Sequence, residues 1–182
     1  MKKHWEEGIS RKLMTEEQLK ARIVELGAQI TEDYKNEKED LILVCLLKGS
    51  ILFMADLCRE IKLPLKMDFM SVSSYGDEFE SSREVKIMKE LDESIMDKHV
   101  LIIEDIVDTG RTLEKVKQIL LNREPKSFKV CTLLDKPSRR ETAIAPDYIG
   151  FTIPDEFVLG YGLDFKQEYR NIPYVAVMGP LK

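Results

Sequence analysis

The chain has 182 residues, 43% hydrophobic and 34% charged, with a formal net charge of −5. That length suits one domain with a sizeable core, residues 1–182 taken together, rather than two. The acidic balance argues against a general nucleic-acid binder, and no apolar run reaches the roughly 20 residues that span a bilayer. No apolar segment follows Met1–Glu7, so the start does not read as a secretory signal. Cys45, Cys58 and Cys131 have no metal-ligand spacing and read as reduced thiols, so the expected compartment is the cytoplasm.

Thr15-Glu16-Glu17-Gln18 fits a capping box and opens a predicted helix to about Lys35, with Leu19, Ile23, Leu26 and Ile30 along its inner face. Leu41 to Leu47 is a continuous apolar run of strand length. It stops at Lys48-Gly49-Ser50, and a helical pattern follows with Ile51, Leu52, Ala55, Leu57 and Ile61. A strand, a small cationic loop and a helix make a candidate anion site, although Lys-Gly-Ser is also a plain turn. Leu65 to Val72 reads as a strand and Val85 to Leu91 as its return. Between them, Ser73 to Arg83 is polar and too long for a tight hairpin, which reads as a lid or a mobile surface hairpin.

The most informative stretch is Val100 to Leu113. Val100 to Ile103 has the character of a strand buried on both faces, and Glu104 and Asp105 follow at once. Asp108-Thr109-Gly110-Arg111-Thr112 is then a small-residue loop, and a helix is predicted from Leu113 through Val116, Ile119 and Leu120. A loop feeding a helix N-terminus offers unpaired backbone N–H groups and a positive dipole end to an anion. Gly110 allows close approach, Thr109 and Thr112 add hydroxyls, and the acidic pair can accept from ribose hydroxyls or hold magnesium, a cation that prefers oxygen ligands. The pattern therefore suits a sugar phosphate.

Phe128 to Leu134 is the next buried strand and ends in Asp135-Lys136-Pro137-Ser138-Arg139-Arg140, which places Lys136 where open α/β sheets bind ligands. Near the C-terminus stands Ile153-Pro154-Asp155-Glu156-Phe157-Val158, then Gly160-Tyr161-Gly162-Leu163-Asp164, and Tyr174 to Met178 closes as a strand. Taken singly, Phe157 reads equally as a core aromatic and Asp164 as a turn acid. The alternation of strands and helices predicts an α/β fold, a doubly wound and mostly parallel sheet flanked by helices. Neither Gly-x-x-x-x-Gly-Lys-Ser/Thr nor Gly-x-Gly-x-x-Gly occurs, so the two common nucleotide fingerprints are missing.

The stretch Glu104 to Thr112 resembles the phosphoribosyl-pyrophosphate signature of the type I phosphoribosyltransferases, and its wording looks most like the hypoxanthine-guanine phosphoribosyltransferases. Ile153 to Asp164 is a second match, and the resemblance runs from about Leu41 to Arg170. It implies a core of about residues 36–145 and a small hood, over the C-terminal strand ends, from the N-terminal segment and about 146–182. It implies transfer of a phosphoribosyl group from phosphoribosyl pyrophosphate to N9 of hypoxanthine or guanine in purine salvage, with Mg²⁺. Glu104 and Asp105 would bind ribose and metal, Thr109, Gly110, Arg111 and Thr112 the 5-phosphate, and Asp108 would be the general base. Lys48, Gly49 and Arg170 would hold pyrophosphate, with a cis Leu47–Lys48 bond in that loop. Many members carry a glycine where Ser50 stands here. Ser74 and Tyr75 would ride a closing lid. Lys136 would reach the purine oxygen, Phe157 would stack on the ring, Val158 would offer its backbone to the base edge, and Asp164 would serve the base side and a second metal ion. Homodimers or homotetramers are the expected assemblies, without nucleic-acid or membrane partners. Competing readings are another acceptor, such as xanthine or a pyrimidine, and a non-catalytic nucleotide- or RNA-binding regulator on the same fold.

Overall fold

The structure, a computed structural model, describes residues 6, 8–75 and 84–179. In chain order the elements are β1 (Ile9–Met14), α1 (Glu16–Tyr34), β2 (Leu41–Leu47), α2 (Ile51–Glu60), β3 (Lys66–Tyr75), β4 (Glu84–Lys89), β5 (His99–Val107), α3 (Arg111–Leu121), β6 (Ser127–Asp135), a short 3-10 turn (Pro137–Arg139), β7 (Tyr148–Thr152), β8 (Val158–Leu159) and β9 (Val175–Met178). Six strands form the main sheet in the order β4-β3-β2-β5-β6-β7. All neighbours in it run parallel except β3 and β4.

The apolar runs explain this core. On β2, Leu41, Leu43 and Cys45 face one side and meet α1 and α2 through Leu26, Ile30, Phe53 and Leu57. Ile42, Val44 and Leu46 face the other and meet α3 through Leu113, Val116 and Leu120. Val100 and Ile102 of β5 join that second layer, and Leu101 and Ile103 the first. A strand apolar at every position is the solution for a sheet covered on both faces, and the predicted doubly wound architecture is the one observed. Thr15 caps α1 with both halves of the capping box in place.

Three details differ from expectation. β5 does not end at Ile103: its ladder with β6 continues through Glu104↔Thr132 to Val107↔Asp135, which carries the acidic pair inside the sheet. α3 starts at Arg111 rather than Leu113. The inner face of α2 is Phe53, Met54 and Leu57, while Ile51 is 45% exposed and Leu52 37%. A second, three-stranded sheet, β1-β9-β8, is antiparallel and joins the first strand of the chain to the last. Ser74 and Tyr75 lie in the backbone of β3, opposite Val85 and Glu84. The rest of the predicted lid, 76–83, lies outside the described residues.

Helices α1 and α2 touch where Gly27 leaves room. A Cβ built there would stand 2.5 Å from the Glu60 Cβ and 2.7 Å from its carbonyl carbon. Thr31 ties the same seam, donating to the Gly27 carbonyl at 2.6 Å and accepting from the Lys62 amide at 2.9 Å. Gly27→Ala is therefore expected to lose about 1–3 kcal/mol of stability through overpacking, even though alanine favours a helix by about 1 kcal/mol. Urea unfolding of the two proteins measures this directly.

Candidate active site

The parallel strands β2, β5, β6 and β7 bring their C-terminal ends to one edge of the sheet, the place where open α/β sheets bind ligands. Around it lie three groups of side chains.

The first is the acidic pair with the loop after β2. The Leu47–Lys48 peptide is cis, the geometry the family resemblance implied. A Cβ on Gly49 would overlap the Asp105 carboxylate, and one on Gly162 would overlap the Gly49 carbonyl. Only glycine fits at these two contacts. They press the loop of Lys48 and Gly49 between the end of β5 and the segment of Gly160–Arg170. In that segment Arg170 bonds Asp164 at 2.7 Å and the Gly162 carbonyl at 2.7 Å. The Gln167 side-chain oxygen accepts from Arg170 at 3.2 Å and from Lys48 at 3.5 Å, so one neutral oxygen stands between two cations. The buried Ser50 hydroxyl bonds the Leu46 carbonyl and lies 3.3 Å from Glu104 Oε2.

Burial raises the proton affinity of both acids. Glu104 is held well above the usual carboxylate range by burial and then by the Asp105 charge beside it. Asp105 is pushed up to about 6 by burial, against the Ile106 amide that donates to it at 3.0 Å and the nearby Arg170.

The second group is the loop before α3. Gly110, at φ +80°, is the N-cap of α3 and has no side chain to cap the helix, whose positive end suits an anion. Thr109 Oγ1 is 3.4 Å from the Arg111 amide. Arg111 begins the helix and pairs with Glu141, and Thr112 follows it, partly exposed. Arg140, unremarked in the sequence beyond its place in a basic run, binds this loop from below. It donates to the Asp108 carbonyl at 3.0 Å, the Ile144 carbonyl at 2.6 Å and the Val107 carbonyl at 3.4 Å, and it pairs with Asp135.

The third group follows β6 and β7. Lys136 is 6% exposed; its ammonium donates to the Glu156 carbonyl at 2.7 Å and stands 3.9 Å from Asp155. Arg139 joins Asp108 at 3.1 Å to Asp155 at 3.4 Å. The Phe157 ring is 55% exposed, edge-on to Phe165 at 5.8 Å, so it is no core aromatic. The Val158 side chain is buried, and its backbone is the informative part. The Met178 amide donates to the Phe157 carbonyl at 2.9 Å, the pattern of a non-hydrogen-bonded pair between Val158 and Val177. In that register Val158 turns its own N–H and C=O away from β9, at the edge of the sheet.

Of the residues singled out in the sequence, direct contacts join Gly49 to Asp105 and Arg170 to Asp164, and Gln167 links Lys48 to Arg170, while Arg139, Arg140 and Gln167 had to be found in space. Another acidic cluster, Glu37, Glu39 and His99, lies at the opposite end of the sheet, where His99 starts β5. Lys126 already pairs with both its glutamates.

The raised acids make a pH prediction for the metal-free protein. A carboxylate with a higher pKa folded than unfolded contributes stability below its unfolded value and loses it as pH rises through its folded value. For Asp105 that window runs from the ordinary carboxylate range to about 6. Asp105→Asn and Glu104→Gln should therefore melt above the parent by about 2–6 °C near pH 7.5 in a chelator, with a smaller gap near pH 4.5. Thermal melts at the two pH values test it.

Residues 12–166 match the phosphoribosyl transferase domain family. The chain is 58% identical to the hypoxanthine phosphoribosyltransferase of Salmonella typhimurium over 90% of this chain and 92% of that one. It is 47% identical to the hypoxanthine-guanine phosphoribosyltransferase of Bacillus subtilis, over 94% of each. The crystal structure of a hypoxanthine phosphoribosyltransferase from Staphylococcus aureus superposes with a TM-score of 0.90 at 48% identity, covering 95% of this chain and 93% of that one. With the family model, the relatives and the fold in agreement, the chain belongs to the phosphoribosyltransferases, among the hypoxanthine phosphoribosyltransferases.

Proposed function

We propose that the chain serves purine salvage by moving the 5-phosphoribosyl group of phosphoribosyl pyrophosphate to N9 of hypoxanthine, guanine or both, releasing pyrophosphate and giving IMP or GMP. The observation that carries this is the meeting, at one sheet edge, of a helix N-terminus with glycine at its N-cap, an acidic pair, a lysine–arginine pair and an exposed aromatic ring.

Each group has a task in that reaction. The 5-phosphate sits on the N–H groups of Thr109, Gly110, Arg111 and Thr112. Glu104 and Asp105 accept from the ribose hydroxyls. Loss of pyrophosphate leaves an oxocarbenium-like sugar, as in glycoside transfer. Lys48, the Gly49 amide and Arg170 hold the departing charge. Gln167, now between the two cations, is replaced there by phosphate oxygens. The purine stacks on Phe157, its oxygen takes a bond from Lys136, and its edge meets the Val158 backbone. Asp108 takes the N7 proton as N9 attacks C1 of the ribose. Closure of the loop that follows Ser74 and Tyr75 keeps water from the sugar cation.

Mg²⁺ fits this reading. Glu104, Asp105 and Asp164 offer only oxygen donors, and two adjacent carboxylates with raised pKa values suit a hard cation. Glu104 and Asp105 would hold one ion and Asp164, now paired with Arg170, a second on the pyrophosphate side, where the metal would neutralise the leaving group. The sheet of β1, β9 and β8, close to Phe157, is taken as part of a hood from the N-terminal segment and about 146–182, over a core of about 36–145. None of the described helices is long and apolar enough to cross a membrane, and all three cysteines are free thiols. Both facts suit a cytoplasmic enzyme, and a homodimer or homotetramer without nucleic-acid or membrane partners is the expected state.

The purified protein with phosphoribosyl pyrophosphate and Mg²⁺, offered hypoxanthine, guanine, xanthine, adenine and uracil separately, should form nucleotide from hypoxanthine or guanine. Nucleotide binding without product from any base would instead favour a regulator. Asp108→Asn should lower kcat by about 10²–10⁴ while nucleotide affinity, followed by calorimetry, stays within a few-fold. Near-normal turnover would remove Asp108 from the base role.

A further inference from the structure

The acid assigned as the base is not alone. Arg139 Nε donates to Asp108 Oδ1 at 3.1 Å, and its NH1 reaches Asp155 Oδ2 at 3.4 Å. The two acids belong to different parts of the site. Asp108 lies on the loop that feeds α3, and Asp155 lies two residues before Phe157, on the segment that carries the aromatic ring and the Val158 edge. Arg139 itself ends the 3-10 turn after Lys136, and that turn is fixed by bonds from the Arg139 amide to the Lys136 carbonyl at 3.1 Å and from the Arg140 amide to the Pro137 carbonyl at 3.2 Å. A single planar fork thus spans the gap between the proton acceptor and the purine platform.

We infer that Arg139 is a positioning residue for the purine half-reaction, orienting the Asp108 carboxylate and fastening the Phe157 segment to it. This rests on the base role proposed above for Asp108. The bond engages Oδ1, which leaves Oδ2 to accept a ring N–H. The fork fixes the direction of the carboxylate and the place of the Phe157 segment relative to it, so its benefit falls on capture and orientation of the purine more than on turnover. The charge also balances the site: Lys136 and Arg139 face Asp108 and Asp155 across it. Lysine is no equivalent of arginine here, because a point charge on a flexible stem cannot serve both acids in fixed directions.

The test is steady-state kinetics of Arg139→Ala, Arg139→Lys and Asp155→Asn in the full chain, varying hypoxanthine and phosphoribosyl pyrophosphate in turn. Arg139→Ala should raise the KM for hypoxanthine about ten- to thirtyfold, with kcat changed less than about fivefold and the KM for phosphoribosyl pyrophosphate within about twofold of the parent. Arg139→Lys should recover part of the loss, and Asp155→Asn, which weakens one arm, should give a smaller rise in the same constant. A residue that only braces the loop would shift both Michaelis constants together, or neither. A hypoxanthine KM that rises less than about threefold, or a parallel rise for phosphoribosyl pyrophosphate, overturns the inference. Thermal melts establish that each variant is folded, and Arg139→Lys carries the test if the alanine variant is not. Should the parent form no nucleotide from any base, the reading of the function fails instead, and the two failures are distinct.

Discussion

The site depends on one crowded contact, the Asp105 carboxylate lying where any side chain on Gly49 would stand. It forces the loop after β2 onto the end of β5, so a cationic loop and an acidic pair from different strands share one small volume. The contact is held from behind by the sheet, because β5 stays paired with β6 as far as Val107. The ladder fixes the backbone of both carboxylates, and desolvation raises their proton affinity.

The loops around this contact are joined by arginines as well as by apolar residues such as Leu163 and Ile144. Arg140 gathers the carbonyls of Val107, Asp108 and Ile144 together with Asp135, and Arg170 gathers Asp164, the Gly162 carbonyl and Gln167. Loops made of glycine, threonine and aspartate have little apolar surface to bury, so a many-donor fork is a physical way to fix their backbone. The carbonyls themselves become satisfied in the process.

Much of the fold was legible because its signals are local. Apolar runs such as Leu41–Leu47 and Val100–Ile103 declare strands covered on both faces, and the strand–loop–helix around Gly110 is written in consecutive residues. Where the sequence misled, a distant partner decided the outcome. Two adjacent carboxylates look like a strand end, yet pairing with Thr132 and Asp135 carries β5 past them. Ile9–Met14 has no clean alternation and becomes a strand only because β9 lies beside it. The phase of α2 follows from where the loop of Lys48 and Gly49 releases the chain, which turns Phe53 inward and Ile51 outward. The same holds for the site. Arg139 could not be singled out from Ser138-Arg139-Arg140, since its partners Asp108 and Asp155 stand 31 and 16 residues away.

The pairing of β1 with β9 has a consequence for synthesis of the chain. As it leaves the ribosome, the main sheet can assemble from β2 through β7 with each strand meeting a neighbour already made or soon to follow. The first described strand has no such neighbour until Val175–Met178 has been made. Its closure is the most non-local strand pairing among the described residues, and such contacts form late because the connecting chain must first be ordered. The main sheet is thus able to form before the smaller one, whose edge strand β8 follows directly on Phe157.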